Sequence, residues 1–320
     1  MVASITEVPP DEVRDELTTV RAVLDGAVPA KVLDFNLLVG TWNIRAFGDL
    51  TANWKSAATD SPKRDLAAVL YISEILSRFD VVAVQEVRGN LKCLRDALKV
   101  LGSDWGVILT DVTRGKAGNN ERLAFLFDTR RVKPSGLACE LVLPDTGEAG
   151  MAGPVDQFAR TPYAVSFATA TTTFILVTLH GRYGTAPSDR IGELTAIAEW
   201  LADWARTEHS WGHNLLALGD FNIDRIGDPL FEAFTSTGLT PPAELNNVPR
   251  TIFDDPDSGH FYDQIAWFTG TAGVPALSLT YTGNAGGFDF VHQLLTTLTK
   301  TELSWRISDH YPLWAEFTTR

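Results

Sequence analysis

The chain has 320 residues, 45% of them apolar, and 40 acidic against 27 basic side chains give a net charge of -13. That length holds one large domain or two smaller ones with a substantial core. The sequence has no run of about 18 apolar residues, so no membrane span is expected, and the acidic balance argues against a generally basic surface that coats nucleic acid.

Residues 1–34 read as an N-terminal extension. Asp11 to Leu24 form an amphipathic pattern with Val13, Leu17, Val20 and Leu24 on one side, predicting a helix packed on the outside of the domain, with a partner-binding arm as the alternative. The start lacks a basic head followed by an apolar stretch, as in a cytoplasmic protein or a secreted one expressed without its leader. From residue 35 strand-like runs are predicted near 36–43, 81–86, 106–110, 122–128, 163–168, 173–180, 214–219, 262–268 and 312–318. Helical patterns fall at 63–78, 90–101 and 188–206, the last with a capped start at Ser188-Asp189. The glycine- and proline-bearing stretch 144–157 and the proline-rich stretch 241–260 read as surface loops. Cys93 and Cys139 are the only cysteines. A disulfide scaffold is therefore not needed, a metal–thiolate cluster is impossible, and Cys93, in a helix-like stretch, reads as a buried free thiol. Many strands with fewer helices predict two packed sheets with helices outside.

Six of the strand-like runs carry polar groups at one end: Asn43, Glu86, His180, Asp220 with Asn222, Asp263, and Asp309 with His310. Such ends converge on one sheet rim. Two imidazoles among carboxylates and carboxamides are what metal-assisted phosphoester cleavage needs. Gly219 permits a tight turn or a close approach before Asp220. Asp220 and Asn222, two apart on an extended segment, point the same way; an Asx turn closing the strand is the competing reading. Glu86 is either a solvated strand end or a ligand for a hard cation. His180 is either a catalytic imidazole or a structural hydrogen-bonder. Adjacent strand residues point oppositely, so Asp309 is not expected to orient His310 and instead reaches toward the metal site. His209, His213, His260 and His292 lie in loop-like contexts and receive no role.

Seven segments, TWNI at 41–44, QEVR at 85–88, ERLAFLF at 121–127, LHG at 179–181, GDFN at 219–222, YDQI at 262–265 and SDHYP at 308–312, together resemble the endonuclease/exonuclease/phosphatase superfamily, whose fold is that of deoxyribonuclease I. The resemblance covers about residues 35–318. It implies a four-layer α/β sandwich of two packed mixed β-sheets flanked by helices, with residues 35–320 as the catalytic domain. It implies that Asn43 and Glu86 belong to the metal site with Asp309 and Asp220 nearby, and that the cation is Mg²⁺ or Mn²⁺. His180 and His310 correspond to the paired catalytic histidines, Glu121 and Asp263 to their respective carboxylate partners, and Asp220 and Asn222 to the pair near phosphate and metal. Either histidine can be the base toward water; His310 is assigned that role here, and His180 the acid for the leaving oxygen.

Three features resemble the deoxyribonuclease branch. Arg88 follows Gln85-Glu86-Val87, Glu121-Arg122 opens the next strand, and Arg160 precedes Thr161-Pro162. Arg88 and Arg160 are therefore expected to contact substrate phosphate, which a planar guanidinium meets in fixed geometry; ordinary surface ion pairs are the alternative. Gln264 departs from the arginine common at that place in nucleases, and the disulfides of the secreted animal enzymes have no counterpart. The resulting expectation is a monomeric, divalent-metal-dependent phosphodiesterase acting on DNA, with no protein partner evident. A phosphatase or phosphodiesterase for a small-molecule, sugar or lipid phosphate is the runner-up.

Overall fold

A computed structural model describes residues 3–113, 119–141, 158, 160–184, 186–207, 214–254 and 259–319. Two six-stranded sheets face each other. The first contains β1 (Asn36–Phe47), β2 (Val81–Arg88), β3 (Trp105–Leu109), β4 (Glu121–Asp128), β11 (Thr280–Gly287) and β12 (Leu313–Thr318), in the order β11-β12-β1-β2-β4-β3. The second contains β5 (Lys133–Glu140), β6 (Tyr163–Ala168), β7 (Thr173–His180), β8 (Leu215–Asp220), β9 (Leu239–Thr240) and β10 (Asp263–Phe268), in the order β5-β6-β7-β8-β10-β9. In each sheet one pair of neighbours is parallel, β1 with β2 and β7 with β8, and the others are antiparallel. This is the mixed sandwich the sequence implies.

Alternation along the strands explains why both sheet faces are apolar. Leu37 and Val39 of β1 enter the layer between the sheets with Phe125, Phe167, Leu216, Leu218 and Ile265. Leu38, Trp42 and Ile44 of the same strand face the outer layer of α1 (Asp11–Ala27), α2 (Leu66–Leu76) and α3 (Lys92–Leu101). Val13, Leu17, Val20 and Leu24 of α1 are buried in that outer layer. Cys93 lies fully buried in α3 as a free thiol, and burial pushes it up to about 11. On the second sheet Leu215 and Ala217 turn outward to α4 (Ser188–Arg206) and α5 (Pro229–Thr235).

The differences from the sequence reading have local causes. Helix α2 starts at Leu66 rather than 63 because the Asp65 carboxylate accepts the Ala68 amide at 2.9 Å and caps it. Helix α4 starts at Ser188 after Pro187, with no side-chain cap on its first turn. Strands β5 and β11 were not expected. Both are edge strands; β5 is half exposed and carries Pro134 and Gly136, and β11 carries three glycines in eight residues. Such strands lack the apolar alternation by which strands are read. Helices α5 and α6 (Lys300–Arg306), seven residues each, are too short for a helical period to register. The stretch 241–260 is loop over most of its described length, with Thr251 bridging to His310, whereas 144–157, His209 and His213 lie outside the described residues. Among the described residues no helix is long and apolar enough to cross a membrane.

Candidate active site

Strand register gathers the polar ends. In the second sheet His180 is paired with Asp220, and Asp220 with Asp263, across β7, β8 and β10. Gly219 makes this ladder possible: its φ is +143°, and a Cβ there would meet the Leu179 carbonyl oxygen at 2.2 Å. In the first sheet β1, β2 and β4 lose register at the same level, between Asn43 and Phe47 and between Val84 and Val87. The bulge places Glu86 at φ +60°, a left-handed conformation that costs a non-glycine residue about 1–3 kcal/mol and clusters at functional sites. Its Oε2 accepts the Ala46 amide at 2.8 Å, which holds the carboxylate over the end of β1.

Two carboxylate–imidazole pairs face each other. His180 Nδ1 lies 3.1 Å from Glu121 Oε2 and His310 Nδ1 lies 2.7 Å from Asp263 Oδ2. The His310 contact is a hydrogen bond that fixes the ring and presents Nε2, whereas His180 and Glu121 are close without hydrogen-bond geometry. Both Nε2 atoms point to one oxygen, Asp220 Oδ2, at 3.7 Å from His180 and 3.9 Å from His310. Asn43 Nδ2 donates to that same oxygen at 2.9 Å and bridges the two sheets. The Asn222 amide donates to Asp220 Oδ1 at 3.0 Å, and Asn222 Nδ2 holds the Gly181 carbonyl at 2.9 Å. Burial disfavours charge on Asp220, but His310, His180 and two hydrogen bonds outweigh it and hold its carboxyl below the usual range. Burial likewise opposes charge on His310, yet Asp263, Asp220 and Asp309 together raise its pKa well above the ordinary imidazole value.

Arg88 and Arg160 meet at Glu121. Arg88, partly exposed, lies 3.2 Å from Glu121 Oε1 and 3.3 Å from Glu86 Oε2. Arg160 is buried, with Nε 2.6 Å from Glu121 Oε2 and Nη1 3.4 Å from the His180 and Gly181 carbonyls. Asp309 lies outside the central cluster and faces Arg45 at 3.5 Å, whose guanidinium sits 3.7 Å over Trp305.

Two triads have ligand atoms within 4.8 Å of one another: Glu86, Glu121 and His180, and Asp220, Asp263 and His310. The oxygens of Glu121 are already engaged by Arg88, Arg160, His180 and Asn119. Asn43 Oδ1 is buried with no hydrogen-bond partner, as are Glu121 Oε2 and Asp263 Oδ1, but unlike Glu121 Oε2 it has no cationic neighbour among the described residues, and its Nδ2 is spent on Asp220. A buried acceptor without a partner, on the strand that pairs with the one carrying Glu86, fits a hard, oxygen-liganded divalent cation.

Sequence reasoning missed the residues that brace these groups. Arg250 is fully buried and lies 4.2 Å over Phe261. Its Nε donates to the Asp263 carbonyl at 2.8 Å, Nη1 to Leu245, and its own carbonyl accepts the Tyr311 amide at 2.9 Å. It therefore clamps both sides of the His310–Asp263 pair. Arg64 ties the Arg45 and Ala46 carbonyls to those of Arg306 and Ile307. Gln85 Nε2 joins the sheets beneath the site, to Thr178 at 2.9 Å and Thr41 at 3.2 Å. Ser308 Oγ donates to the Asn43 carbonyl and accepts the His310 amide. In Arg250→Lys the charge stays but the fork is lost. A fall in kcat of about 10–100-fold on a small diester is expected, the range for residues that hold ligands or rings in place; circular dichroism should show the fold retained, and an unchanged kcat would remove Arg250 from the dyad's support.

The family model described as the endonuclease/exonuclease/phosphatase family matches residues 40–310, and the chain belongs to that family. Its relatives include bovine deoxyribonuclease-1, 28% identical over 297 residues that cover 88% of this chain and 92% of that protein. A deoxyribonuclease of Thioalkalivibrio sp. (strain K90mix) is 28% identical over 298 residues, covering 88% of this chain and 71% of that protein. Among solved structures, the human nocturnin catalytic domain superposes with a TM-score of 0.57 at 17% identity, covering 90% of this chain and 96% of that one. A Bacteroides thetaiotaomicron mannosyl-6-phosphatase gives 0.53 at 17%, covering 88% and 99%. These two share the fold. The protein is thus a hydrolase of phosphoric esters.

Proposed function

We propose that the chain is a divalent-metal-dependent deoxyribonuclease that hydrolyses phosphodiester bonds of DNA. The observation that carries this reading is the pair of carboxylate-paired imidazoles whose Nε2 atoms flank one buried oxygen of Asp220. Hydrolysis of a diester needs one group to take a proton from water and another to give one to the leaving oxygen. His310 with Asp263, and His180 with Glu121, supply both from opposite sides; His310 is assigned the base, a role its raised pKa confines to the alkaline side of the pH range, and His180 the acid. Glu86 and Asn43, with Asp220, Asn222 and Asp309 around them, would hold Mg²⁺ or Mn²⁺, which when bound neutralises charge developing on the phosphoryl oxygens. Asn222 and Asp220 orient the phosphate. The Arg88 guanidinium is partly exposed at the rim and reaches the flanking phosphate, and Arg160 adds positive charge from beneath Glu121. Similarity to deoxyribonucleases along most of the chain supports DNA over other esters.

The test is purified protein with Mg²⁺ or Mn²⁺ against plasmid DNA, RNA, a small phosphodiester and inositol phosphates. DNA cleavage is expected. Brisk release from an inositol or sugar phosphate without DNA cleavage would replace this reading with the small-molecule one. Arg88→Ala should weaken cleavage of long DNA and reduce the slope of log affinity against log salt by about 0.9, one lost phosphate contact. Hydrolysis of the small diester should change little; equal loss on both would place Arg88 at the reacting phosphate.

A further inference from the structure

A cavity of about 670 Å³ is lined in part by Arg225, Thr251, His260, Phe261, Lys300 and Tyr311; the His310 and Asp263 side chains do not line it. Its wall and the dyad share backbone: Thr251 bridges His310, Tyr311 follows His310, and Phe261 lies two residues before Asp263. A row of rings leads into it. The Tyr262 ring centroid is 5.9 Å from that of His310, and the His260 ring stacks on Tyr262 at 4.6 Å with 23° between planes. His260 is held by Asp254, whose Oδ1 lies 2.6 Å from Nδ1 and whose Oδ2 accepts the His260 amide at 3.1 Å. The imidazole is 42% exposed, so its edge and outer face stay available with Tyr262 behind it. The cavity's other carboxylate, Asp289, accepts the Val291 amide at 2.9 Å. Among the described residues Arg225 and Lys300 have no carboxylate within ion-pair distance, in a chain that is otherwise strongly acidic.

We propose that this cavity is a nucleobase subsite: it takes the unpaired base of the nucleotide adjoining the scissile phosphate, stacked on His260, with Arg225 and Lys300 near the next phosphate. Its volume is that of a small-molecule pocket. Aromatic faces bind any base by stacking, and cations beside them follow the backbone. A paired base stays in its duplex and does not enter, so single-stranded DNA is the favoured substrate. The proposal deepens the nuclease reading and rests on it.

Three chromogenic diesters test it: methyl p-nitrophenyl phosphate, which lacks a base, and the 5′- and 3′-p-nitrophenyl phosphates of thymidine. The wild type is expected to favour one thymidine ester over the methyl ester in kcat/KM by about 5- to 150-fold, the range of one stacked base. His260→Ala should bring that ratio to about one, and His260→Phe, which keeps a stacking face, should retain most of it. Single-stranded DNA should be cut faster than duplex of the same sequence. An enzyme that cleaves DNA yet shows a ratio near one, or keeps its ratio in His260→Ala, has no such subsite while the nuclease reading stands. An enzyme that hydrolyses the methyl ester but no DNA of either form overturns both.

Discussion

His180→Ala and His310→Ala are each expected to lower turnover of a small diester by at least about 10²–10⁴-fold, the contribution of positioned proton transfer. A diester without a base isolates the chemical step from substrate grip. Each imidazole sits on a strand end or bridge with its Nδ1 beside a buried carboxylate, so truncation removes a proton carrier while the strands on either side keep their pairing. Circular dichroism should show the fold retained, with a lower melting temperature in His310→Ala because buried Asp263 loses its partner. Retention of more than about a tenth of wild-type turnover in His310→Ala would end its catalytic assignment. Asp263→Asn gives a second handle. The carboxylates of Asp263, Asp220 and Asp309 outweigh burial and raise the His310 pKa. Removing the Asp263 charge therefore lowers it, and the limb of the pH–rate profile governed by His310 should move toward acid. The raised value also has a stability sign: its contribution is present below the unfolded pKa and is lost as pH rises through the folded one. A profile that does not move would separate His310 titration from Asp263.

The site was legible where chemistry and periodicity coincide. Asn43, Glu86, His180, Asp220 and Asp263 lie within or at the ends of buried strands whose apolar runs are unmistakable, and each polar residue is conspicuous because burial would otherwise exclude it. The two-sheet architecture followed from the same runs. What escaped was structure without a period. Strands β5 and β11, on the sheet edges, are half solvated and carry glycine or proline. Arg250 and Arg64 escaped because an arginine in a loop reads as surface, and only the folded backbone reveals the carbonyls that bury it. The meeting of Arg88 and Arg160 at one carboxylate joins residues 72 positions apart in the chain (160 minus 88), and no local pattern predicts it. Asp309 faces Arg45 at 3.5 Å, a partner that its neighbours in sequence do not reveal.

Excess EDTA is expected to abolish hydrolysis of both DNA and the small diester, and Mg²⁺ or Mn²⁺ in excess of chelator to restore it. Asn43 Oδ1 is buried without a partner, a cost of about 1–3 kcal/mol unless something satisfies it. Around it lie carboxylates rather than thiolates, a donor set for hard cations. Binding can be read apart from activity. Occupancy at 100 times the dissociation constant stabilises a protein by about 2.7 kcal/mol, so Mn²⁺ should raise the melting temperature of the chelator-treated protein. Glu86→Gln should shrink that rise and increase the Mn²⁺ needed for half-maximal rate, because an amide oxygen is a weaker ligand than a carboxylate. Glu121→Gln is expected to leave the rise largely intact, since both Glu121 oxygens already serve cations and the His180 ring, while still lowering kcat through the loosened imidazole. The two variants thus separate cation binding from imidazole positioning. Equal loss of the melting shift in both would place Glu121 among the ligands. Full turnover in excess EDTA would leave the orphaned Asn43 oxygen and the strained Glu86 backbone without the cation that explains them.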